Sequence, residues 1–467
     1  MSSITKILTD ALASEKVITD PEILKTRRHD YWVLSHLDNI QDRPTPAPAC
    51  VVRPTSTEDV VKIVNACSES KTPLIPFGLG SGVVGGVITT PEHVLLDLSS
   101  MNKIRNIDET NYIASFDAGY NGGEAECAVQ KKGLTIGHWP QSIDISSVGG
   151  WIATRASGQF STAYGNIEDI VYSIEAVLPD GSIINAGKAP RASAGPDLRH
   201  LLLGSEGTLA VITGVSLSLR KLPEVSLHSA FYAPNMKTGL EFQREVMQTG
   251  YAPPVMRLYD STEAARNFPA EHKDDAAIFF AIHEGPQALA EAEQAGVTAI
   301  AKTHGLEEAP TQLVEQWLGH RNTVPTWQTF FEKGIILDTI EISSSWDTIN
   351  AIYEAATASV REVPGVLAAT AHSSHAYRTG INLYFTFAAR PDNSADMADT
   401  YRECWKRVLD ATAAHGGGIA HHHGIGRVRK DYLVHDVGEV GIQTLRKLKQ
   451  TLDPHNIMNP GVLLPDA

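Results

Sequence analysis

The amino-acid sequence predicts an α+β fold built from two main domains. Helical and strand patterns alternate along most of the 467 residues, and glycine-rich segments interrupt them in the first half. A chain of this length is too long to form a single hydrophobic core. We therefore expect an N-terminal helical segment (residues 1–43), a first domain (44–223) and a second domain (224–467).

Local patterns predict the individual elements in chain order. Apolar residues recur at helical spacing in 4–12, and the proline-rich stretch 43–49 ends that segment because proline cannot continue a helix. Ser56 begins an amphipathic helix. Short apolar or alternating runs predict strands at 73–77, 94–98, 112–116, 174–178 and 209–219, with a hairpin partner at 182–185. In the second domain we expect a strand at 381–387 and a helix at 398–413.

Composition excludes several classes of partner and location. The formal net charge is −15, and no block of Lys or Arg could follow a phosphate backbone, so we expect no nucleic acid partner. No apolar run is long enough for a membrane span, and the N-terminus lacks a secretory signal, so we expect a cytoplasmic protein. Four scattered cysteines show no metal-binding spacing and are expected to be buried, reduced thiols: Cys50, Cys67, Cys127 and Cys404.

A glycine-rich loop follows the strand predicted at 73–77. Gly78, Gly80 and Gly82 would let backbone N–H groups approach a diphosphate closely, although a tight structural turn would use glycine too. The helix and the acidic residue of a Rossmann site do not follow, so NAD is not the expected ligand. Segments 140–169 and 203–209 are rich in small and hydroxyl residues, as a long cofactor pressed against backbone requires.

Together these segments resemble the PCMH-type FAD-binding domain of the vanillyl-alcohol oxidase superfamily, over about residues 47–222. The resemblance implies a bipartite FAD domain followed by an α+β substrate, or cap, domain with an antiparallel sheet, whose last part returns to the FAD. The residues expected to cradle the diphosphate are Phe77, Gly78, Leu79, Gly80, Ser81 and Gly82. Those expected along the ribityl chain and ring are Pro140, Asp144, Ser147, Gly149, Gly150, Thr154, Ser157 and Gly158. The remaining expected FAD contacts are Tyr164, Gly165, Glu206, Gly207, Ile212 and Asn459.

The diphosphate loop contains neither histidine nor cysteine, the residues that attach FAD covalently in some members of this superfamily. We therefore expect non-covalent FAD. Attachment to a histidine elsewhere in the chain is the alternative.

A run of three histidines, His421–His423, is the densest chemical signal in the second half. Glycine and apolar residues bracket it, which disfavours a solvated run. Neighbours on an extended segment point to opposite sides, so His421 and His423 are expected to share a face that His422 does not. Imidazoles titrate near neutral pH and could accept a substrate proton while a hydride leaves. Zinc binding by the run is the alternative.

Residues 225–464 resemble the C-terminal domain of FAD-linked oxidases. In the D-2-hydroxyacid dehydrogenase branch, a metal is held by G-H-x-G-D-G-N-x-H and E-H-G-I-G segments. Here His372 matches the first histidine, but Tyr384 and His422 replace another histidine and the glutamate. Because hard metals prefer carboxylates over this reduced set, we expect no metal.

A second branch, alkylglycerone-phosphate synthase, uses a strand tyrosine and an H-H-H-G motif. Tyr384 and His421–His423 match these features, and Arg257 matches an arginine of that branch. The position of the arginine that binds phosphate in that branch aligns near Trp327 in this chain, so that arginine is not matched. The chain is also shorter than the eukaryotic synthases.

The leading hypothesis is a metal-independent FAD oxidoreductase that oxidises a small alcohol or 2-hydroxy acid by hydride transfer to flavin N5. The expected catalytic residues are Tyr384, His421, His422 and His423. The expected substrate-binding residues are Arg257, Arg321, Arg378 and His372, because guanidinium groups match carboxylate geometry. The alternatives are a synthase-like transferase without net oxidation and a protein that binds FAD without turnover. The electron acceptor stays open between oxygen, a quinone and a carrier protein. Homodimers are common in such families, so a homodimer stays open too, although no sequence feature supports one.

Overall fold

The computed structural model describes residues Ser3–Asp466. Within them, the helices in chain order are α1 Ser3–Ala11, α2 Pro21–Thr26, α3 Val33–Ile40, α4 Thr57–Ser70, α5 Gly122–Gln130, α6 Val148–Thr154, α7 Ser161–Tyr164, α8 Ile167–Ile170, α9 Arg199–Leu202, α10 Met236–Thr249, α11 Ser261–Asn267, α12 Gln287–Thr303, α13 Gln312–His320, α14 Trp327–Phe331, α15 Ile349–Arg361, α16 Met397–Ala414 and α17 Leu433–Leu452. The strands are β1 Val17–Ile18, β2 Cys50–Val52, β3 Leu74–Phe77, β4 Val94–Asp97, β5 Ile104–Asp108, β6 Ile113–Asp117, β7 Leu134–Thr135, β8 Val171–Val177, β9 Ile183–Ala186, β10 Val211–Ser218, β11 Arg220–Lys221, β12 Val225–Ala233, β13 Val255–Tyr259, β14 Ala277–Gly285, β15 Glu307–Glu308, β16 Ile336–Ser345, β17 Val366–Ser373 and β18 Gly380–Ala389. Short 3-10 helices lie at Ser14–Lys16, Leu98–Ser100, Ile143–Ile145, Ser394–Asp396 and Lys430–Tyr432.

The chain folds into two compact units that are discontinuous in sequence. The first unit contains the described residues of Met1–Ser157, Asn166–Lys221 and His422–Ala467. The second unit contains Gly158–Gly165 and Leu222–His421. Compared with a division at residue 223, residues 158–165 thus belong to the second unit, and the segment from His422 onward belongs to the first.

The first unit contains two main sheets. In the four-stranded sheet, β2, β4 and β3 are parallel neighbours, and β1 adds an antiparallel edge. Helix α4 begins after Ser56, whose side chain accepts a hydrogen bond from the backbone N–H of Asp59. The five-stranded antiparallel sheet has the order β5-β6-β10-β8-β9 and includes the predicted hairpin β8–β9. These elements confirm the strands and the helix predicted for 56–219.

The second unit is built on one seven-stranded antiparallel sheet with the order β15-β12-β14-β13-β17-β18-β16. Helix α16 packs its apolar stripe into the core, where the Tyr401 hydroxyl and the Trp405 indole N–H both donate hydrogen bonds to the buried Asp338. Strand β18 and helix α16 confirm the elements predicted at 381–387 and 398–413. The predicted antiparallel sheet of an α+β second domain is therefore correct.

Two further sequence predictions concern the burial of the cysteines and the presence of membrane-spanning helices. Cys50, Cys67 and Cys404 are buried free thiols, as expected, but Cys127 is exposed on α5, so the prediction was wrong for that residue. Position 127 lies on the solvent face of an amphipathic helix, which a scattered cysteine does not reveal. No helix in the described part of the chain combines the length and apolar character that crossing a membrane requires.

Candidate functional site

The glycine loop after β3 meets the start of α6 at close range. A Cβ atom on Gly78 would lie 2.3 Å from Ser147 Oγ, and Gly80 has a left-handed φ of +79°. A Cβ atom on Gly149 would lie 2.7 Å from Ala118 Cβ and 2.8 Å from its carbonyl oxygen. Glycine is therefore required where these backbones converge. A glycine loop of this kind, with residues 78–82 partly exposed, fits the diphosphate of FAD.

The N-terminal segment forms hydrogen bonds with this glycine loop and with the residues that follow it. Asp30 is buried, and its carboxylate accepts hydrogen bonds from the backbone N–H groups of Gly86 (2.7 Å), Val87 (3.3 Å) and Trp32 (3.2 Å). The Tyr31 N–H donates to the Gly82 carbonyl at 2.7 Å. Burial raises the pKa of Asp30 to about 7. Sequence reasoning missed Asp30, because no local pattern links it to a loop so far along the chain.

Glu206 and Asn459 also connect separate segments of the first unit. The buried Glu206 carboxylate accepts hydrogen bonds from the N–H groups of Ile425 (2.7 Å) and Gly426 (2.9 Å). Burial raises its pKa to about 7. Asn459 Nδ2 donates to the carbonyl oxygens of Gly86 (3.0 Å) and Glu206 (2.7 Å). Both side chains, expected to contact FAD, make protein contacts that hold the glycine loop and the segment after the histidine run.

The other expected FAD residues fall into three groups. Those in the first unit that are buried are Phe77, Pro140, Ser147, Gly149, Ser157, Gly207 and Ile212. Those in the first unit that are partly or fully exposed are Gly78, Leu79, Gly80, Ser81, Gly82, Asp144, Gly150 and Thr154. Those in the second unit are Gly158, Tyr164 and Gly165. The phenol of Tyr164 donates a hydrogen bond to Glu284 Oε2 at 2.7 Å, so its hydroxyl is engaged within the second unit.

Four polar side chains form a row across neighbouring strands of the second unit, here called the polar row. Strand register pairs Glu341 with Tyr384, Tyr384 with His372, and His372 with Tyr259. Directly opposed residues share one face of a sheet. The His372 ring stacks on Tyr384 at 4.9 Å between centroids and 8° between planes, and on Tyr259 at 5.0 Å and 26°. Strand register therefore brings residues from distant parts of the sequence into one site.

Glu263, on α11, binds the central histidine of the polar row. His372 Nδ1 lies 2.9 Å from Glu263 Oε1, which also accepts from Arg266 at 3.0 Å. Burial lowers the pKa of His372, and Glu263 opposes that shift. Burial disfavours the charged Glu263, but His372 and Arg266 keep its carboxyl pKa below the usual value. Sequence reasoning missed Glu263, because the Asp260-x-x-Glu263 spacing is typical of a helix cap, and Asp260 does cap this helix.

Two arginines lie beside one indole ring in the second unit. Arg257, which is 8% exposed, donates from Nε to Tyr259 Oη at 2.8 Å, and its guanidinium lies 5.2 Å from the Trp317 ring centre. It forms no ion pair with any carboxylate between Ser3 and Asp466. Arg321 lies 5.8 Å from the same ring and donates to Gln159 Oε1 at 2.8 Å. The third candidate, Arg378, is exposed on the loop before β18.

The histidine run does not adopt the expected extended geometry. Residues 421–423 form a series of bends, and the rings of His422 and His423 touch, with centroids 4.7 Å apart. The predicted alternation of faces was wrong, because it holds only for an extended strand. In the second unit, His421 Nε2 lies 2.6 Å from Tyr377 Oη.

A further histidine, His375, lies next to His421 in the second unit, with the ring centroids 5.0 Å apart. Both ring nitrogens of His375 have partners, since they lie 2.7 Å from Ser374 Oγ and 3.1 Å from the Gly158 carbonyl. Burial, with the nearby His421 and Arg257, holds its pKa well below the usual value. His375 is thus a neutral, fixed imidazole, which its position three residues after His372 does not reveal.

Comparisons with known proteins agree with this architecture. Residues 48–187 match the FAD binding domain, and residues 222–463 match the C-terminal domain of FAD linked oxidases. An uncharacterized FAD-linked oxidoreductase of Escherichia coli O157:H7, YgcU, is 35% identical over 99% of this chain and 98% of its own. Alkyldihydroxyacetonephosphate synthase of Caenorhabditis elegans is 30% identical over 92% of this chain and 78% of its own. The structure of p-cresol methylhydroxylase with substrate bound superposes with a TM-score of 0.77 at 18% identity, over 98% of this chain and 95% of that one, which is a likeness of fold.

Proposed function

Since the chain belongs to the FAD-linked oxidase family and binds FAD, we propose that it oxidises a small 2-hydroxy acid, or a related alcohol that carries an anionic group. The observation that carries this proposal is the buried guanidinium of Arg257, which lacks a carboxylate partner in the described chain. The name of the Escherichia coli relative, an oxidoreductase, favours oxidation over group transfer.

A buried charge is costly unless it is paired, so Arg257 favours a ligand that brings the missing anion. A guanidinium presents a planar fork of donors that matches a carboxylate with two parallel hydrogen bonds. Tyr259 orients this fork by accepting from Nε, and the Trp317 ring supports it. The terminal nitrogens of Arg257 would then bind the acid group of the substrate.

Bound FAD would supply the two-electron acceptor for the hydride that leaves the hydroxyl-bearing carbon. The protein must take up the hydroxyl proton, and the candidate residues are Tyr384 and the histidines His372 and His421–His423. Tyr384 is held in place by its stacking on His372. The cofactor is expected to be non-covalent, because the diphosphate loop offers no histidine or cysteine.

A synthase-like transfer reaction is the second candidate. It is favoured by the 30% identity to alkyldihydroxyacetonephosphate synthase over 92% of this chain. In that case Arg257 would bind a phosphate in place of a carboxylate, and FAD would act without net oxidation.

Anaerobic absorption spectroscopy of the FAD-loaded protein tests these candidates. The titrants are D- and L-2-hydroxy acids, then simple alcohols, then an acylglycerone phosphate. Bleaching of the flavin bands by a hydroxy acid is the expected result, and a chelator should not change it because no metal is expected. Bands that respond only to the phosphate ester, with turnover in the absence of an electron acceptor, would replace oxidation by transfer. Bands that respond to no compound would indicate FAD binding without turnover.

A further inference from the structure

We propose that His372 is the base that accepts the hydroxyl proton of the substrate, and that Glu263 is the positioning residue that prepares it for this role. The inference rests on the proposed function, because it names the proton acceptor of that oxidation. Sequence reasoning places His372 only among the substrate-binding residues and does not include Glu263.

The hydrogen bond between these residues determines which nitrogen of the imidazole is free to accept a proton. Glu263 is 3% exposed and forms an ion pair with Arg266, and its pKa lies below the usual value, so its carboxylate is ionised and can only accept hydrogen bonds. His372 Nδ1, 2.9 Å away, must therefore carry the proton. The lone pair of the neutral ring is then on Nε2, which becomes the basic nitrogen.

Packing fixes the orientation of this ring. Tyr384 stacks on it from β18 and Tyr259 from β13, so the imidazole is held by two aromatic rings as well as by Glu263. The other second-unit histidines described above are engaged differently. His421 Nε2 is bonded to the Tyr377 hydroxyl, and both nitrogens of His375 are occupied. In His372, by contrast, Nδ1 lies 2.9 Å from a carboxylate oxygen, which sets the tautomer of the ring.

Proton and hydride leave the substrate by separate routes. The substrate O–H bond breaks and an N–H bond forms at Nε2 of His372, while the hydrogen on the neighbouring carbon leaves as a hydride with both electrons of its bond. The substrate would become a carbonyl compound while its acid group stays on Arg257, and bound FAD would supply the two-electron acceptor for the hydride. The imidazolium that forms is stabilised by the negative charge of Glu263.

The groups that face His372 determine how its charge responds to pH. Glu263 and Arg266 face it from α11, Arg257 and Tyr259 from β13, and Tyr384 from β18. Both arginines disfavour a second positive charge, whereas Glu263 favours it. Removing the charge of Glu263 should therefore make His372 a weaker base, which becomes protonated only at lower pH.

The test compares FAD-loaded wild-type protein with Glu263→Gln during oxidation of the hydroxy acid that bleaches the flavin. We expect kcat to fall about 100-fold and KM to change less than about twofold. The acidic limb of the kcat–pH profile should move to lower pH by about one pH unit. Glu263→Asp, which keeps the charge, should return the midpoint towards the wild-type value. Glu293→Gln is the control, because it removes the charge from another histidine–glutamate pair, formed by His283 and the 19% exposed Glu293, and it should leave the midpoint unchanged.

A second measurement does not depend on turnover. In substrate-free, FAD-loaded protein labelled with ¹⁵N-histidine, the signals missing in His372→Gln identify this ring. The inference requires a proton on Nδ1 in the wild type and a lower titration midpoint in Glu263→Gln. A proton on Nε2, or an unchanged midpoint and pH profile in an active enzyme, would overturn it. A wild-type protein that oxidises no hydroxy acid would instead overturn the proposed function.

Discussion

Three buried carboxylates, Asp30 and Glu206 in the first unit and Glu263 in the second, have pKa values that are shifted in opposite directions. In the first unit, Asp30 and Glu206 accept hydrogen bonds from backbone N–H groups, and burial raises both pKa values to about 7. In the second unit Glu263 is equally buried, but the side chains of His372 and Arg266 keep its pKa below the usual value. Hydrogen bonds from neutral backbone N–H groups therefore compensate less of the cost of burying a carboxylate charge than the side chains around Glu263 do.

The direction of the shift follows the partners of each carboxylate and not the unit, since burial also raises the pKa of Asp260 in the second unit to about 6. Most of the match to the FAD binding domain lies in the first unit, where carboxylates link separate loops and glycines keep side chains out of close backbone approaches. The second unit carries charged and titratable side chains that are placed by strand register. Substitutions in the second unit should therefore change catalysis, whereas those in the first should change cofactor retention and stability.

The largest expected effect is that of Arg257→Met on substrate recognition. Loss of a buried, charge-assisted contact with the substrate anion should lower kcat/KM about 100-fold, corresponding to about 3 kcal/mol. The melting temperature without substrate should not fall comparably, because the substitution also removes a buried charge that lacks an ion pair in the described chain. Steady-state kinetics and thermal melting together measure both effects.

Arg402→Met is the control for this prediction, because Arg402 forms an exposed pair with Asp399 and its side chain is 63% exposed. Kinetic constants close to wild type are expected. Equal losses in both variants, or a loss of Arg257→Met activity that follows unfolding, would show that Arg257 has a structural role.

A smaller effect is expected from Gly149→Ala, which tests the dependence of the first unit on bare backbone. The added methyl group would meet Ala118 at 2.7–2.8 Å, including its backbone carbonyl, so the start of α6 must shift. Overpacking of this kind costs about 1–3 kcal/mol, and we expect FAD affinity to fall about tenfold. Titration of FAD-free protein with FAD measures this affinity.

Gly319→Ala is the comparison variant, since its added methyl group would meet no described heavy atom within 4 Å beyond its chain neighbours and the backbone of its own helix. It should bind FAD as the wild type does. Unchanged FAD affinity in Gly149→Ala would argue that α6 does not need to approach the cofactor closely.

Local sequence motifs identify more of the candidate site residues in the first unit than in the second. Glycine is required where backbones converge, so the loop at Gly78–Gly82 and the segment at Gly149 are visible as local motifs. Asp30 supports the same loop but has no motif, because its partners are backbone atoms of a distant segment.

The polar row illustrates the opposite case. Tyr384 and His372 could be selected through the family resemblance, but the neighbours Tyr259 and Glu263 depend on strand register and on the path of α11. Register is determined by the whole sheet, so a single segment does not encode it. The histidine run was visible in the sequence, while its bent backbone was not.

The smallest expected effect concerns pH and Asp30. An unfolded aspartate loses its proton near pH 4, whereas folded Asp30 keeps it to about pH 7. Between these values the folded state binds more protons than the unfolded state, so this group's contribution to stability falls as pH rises. Asp30→Asn removes the group, so its melting temperature should decline less between about pH 5 and pH 7.5 than that of the wild type, by a few degrees. Asp399→Asn, at an 85% exposed side chain, should keep the wild-type pH dependence. If Asp30→Asn kept it too, the raised pKa of Asp30 would be incorrect, and the contrast between backbone-bound and cation-bound carboxylates would rest on Glu206 alone.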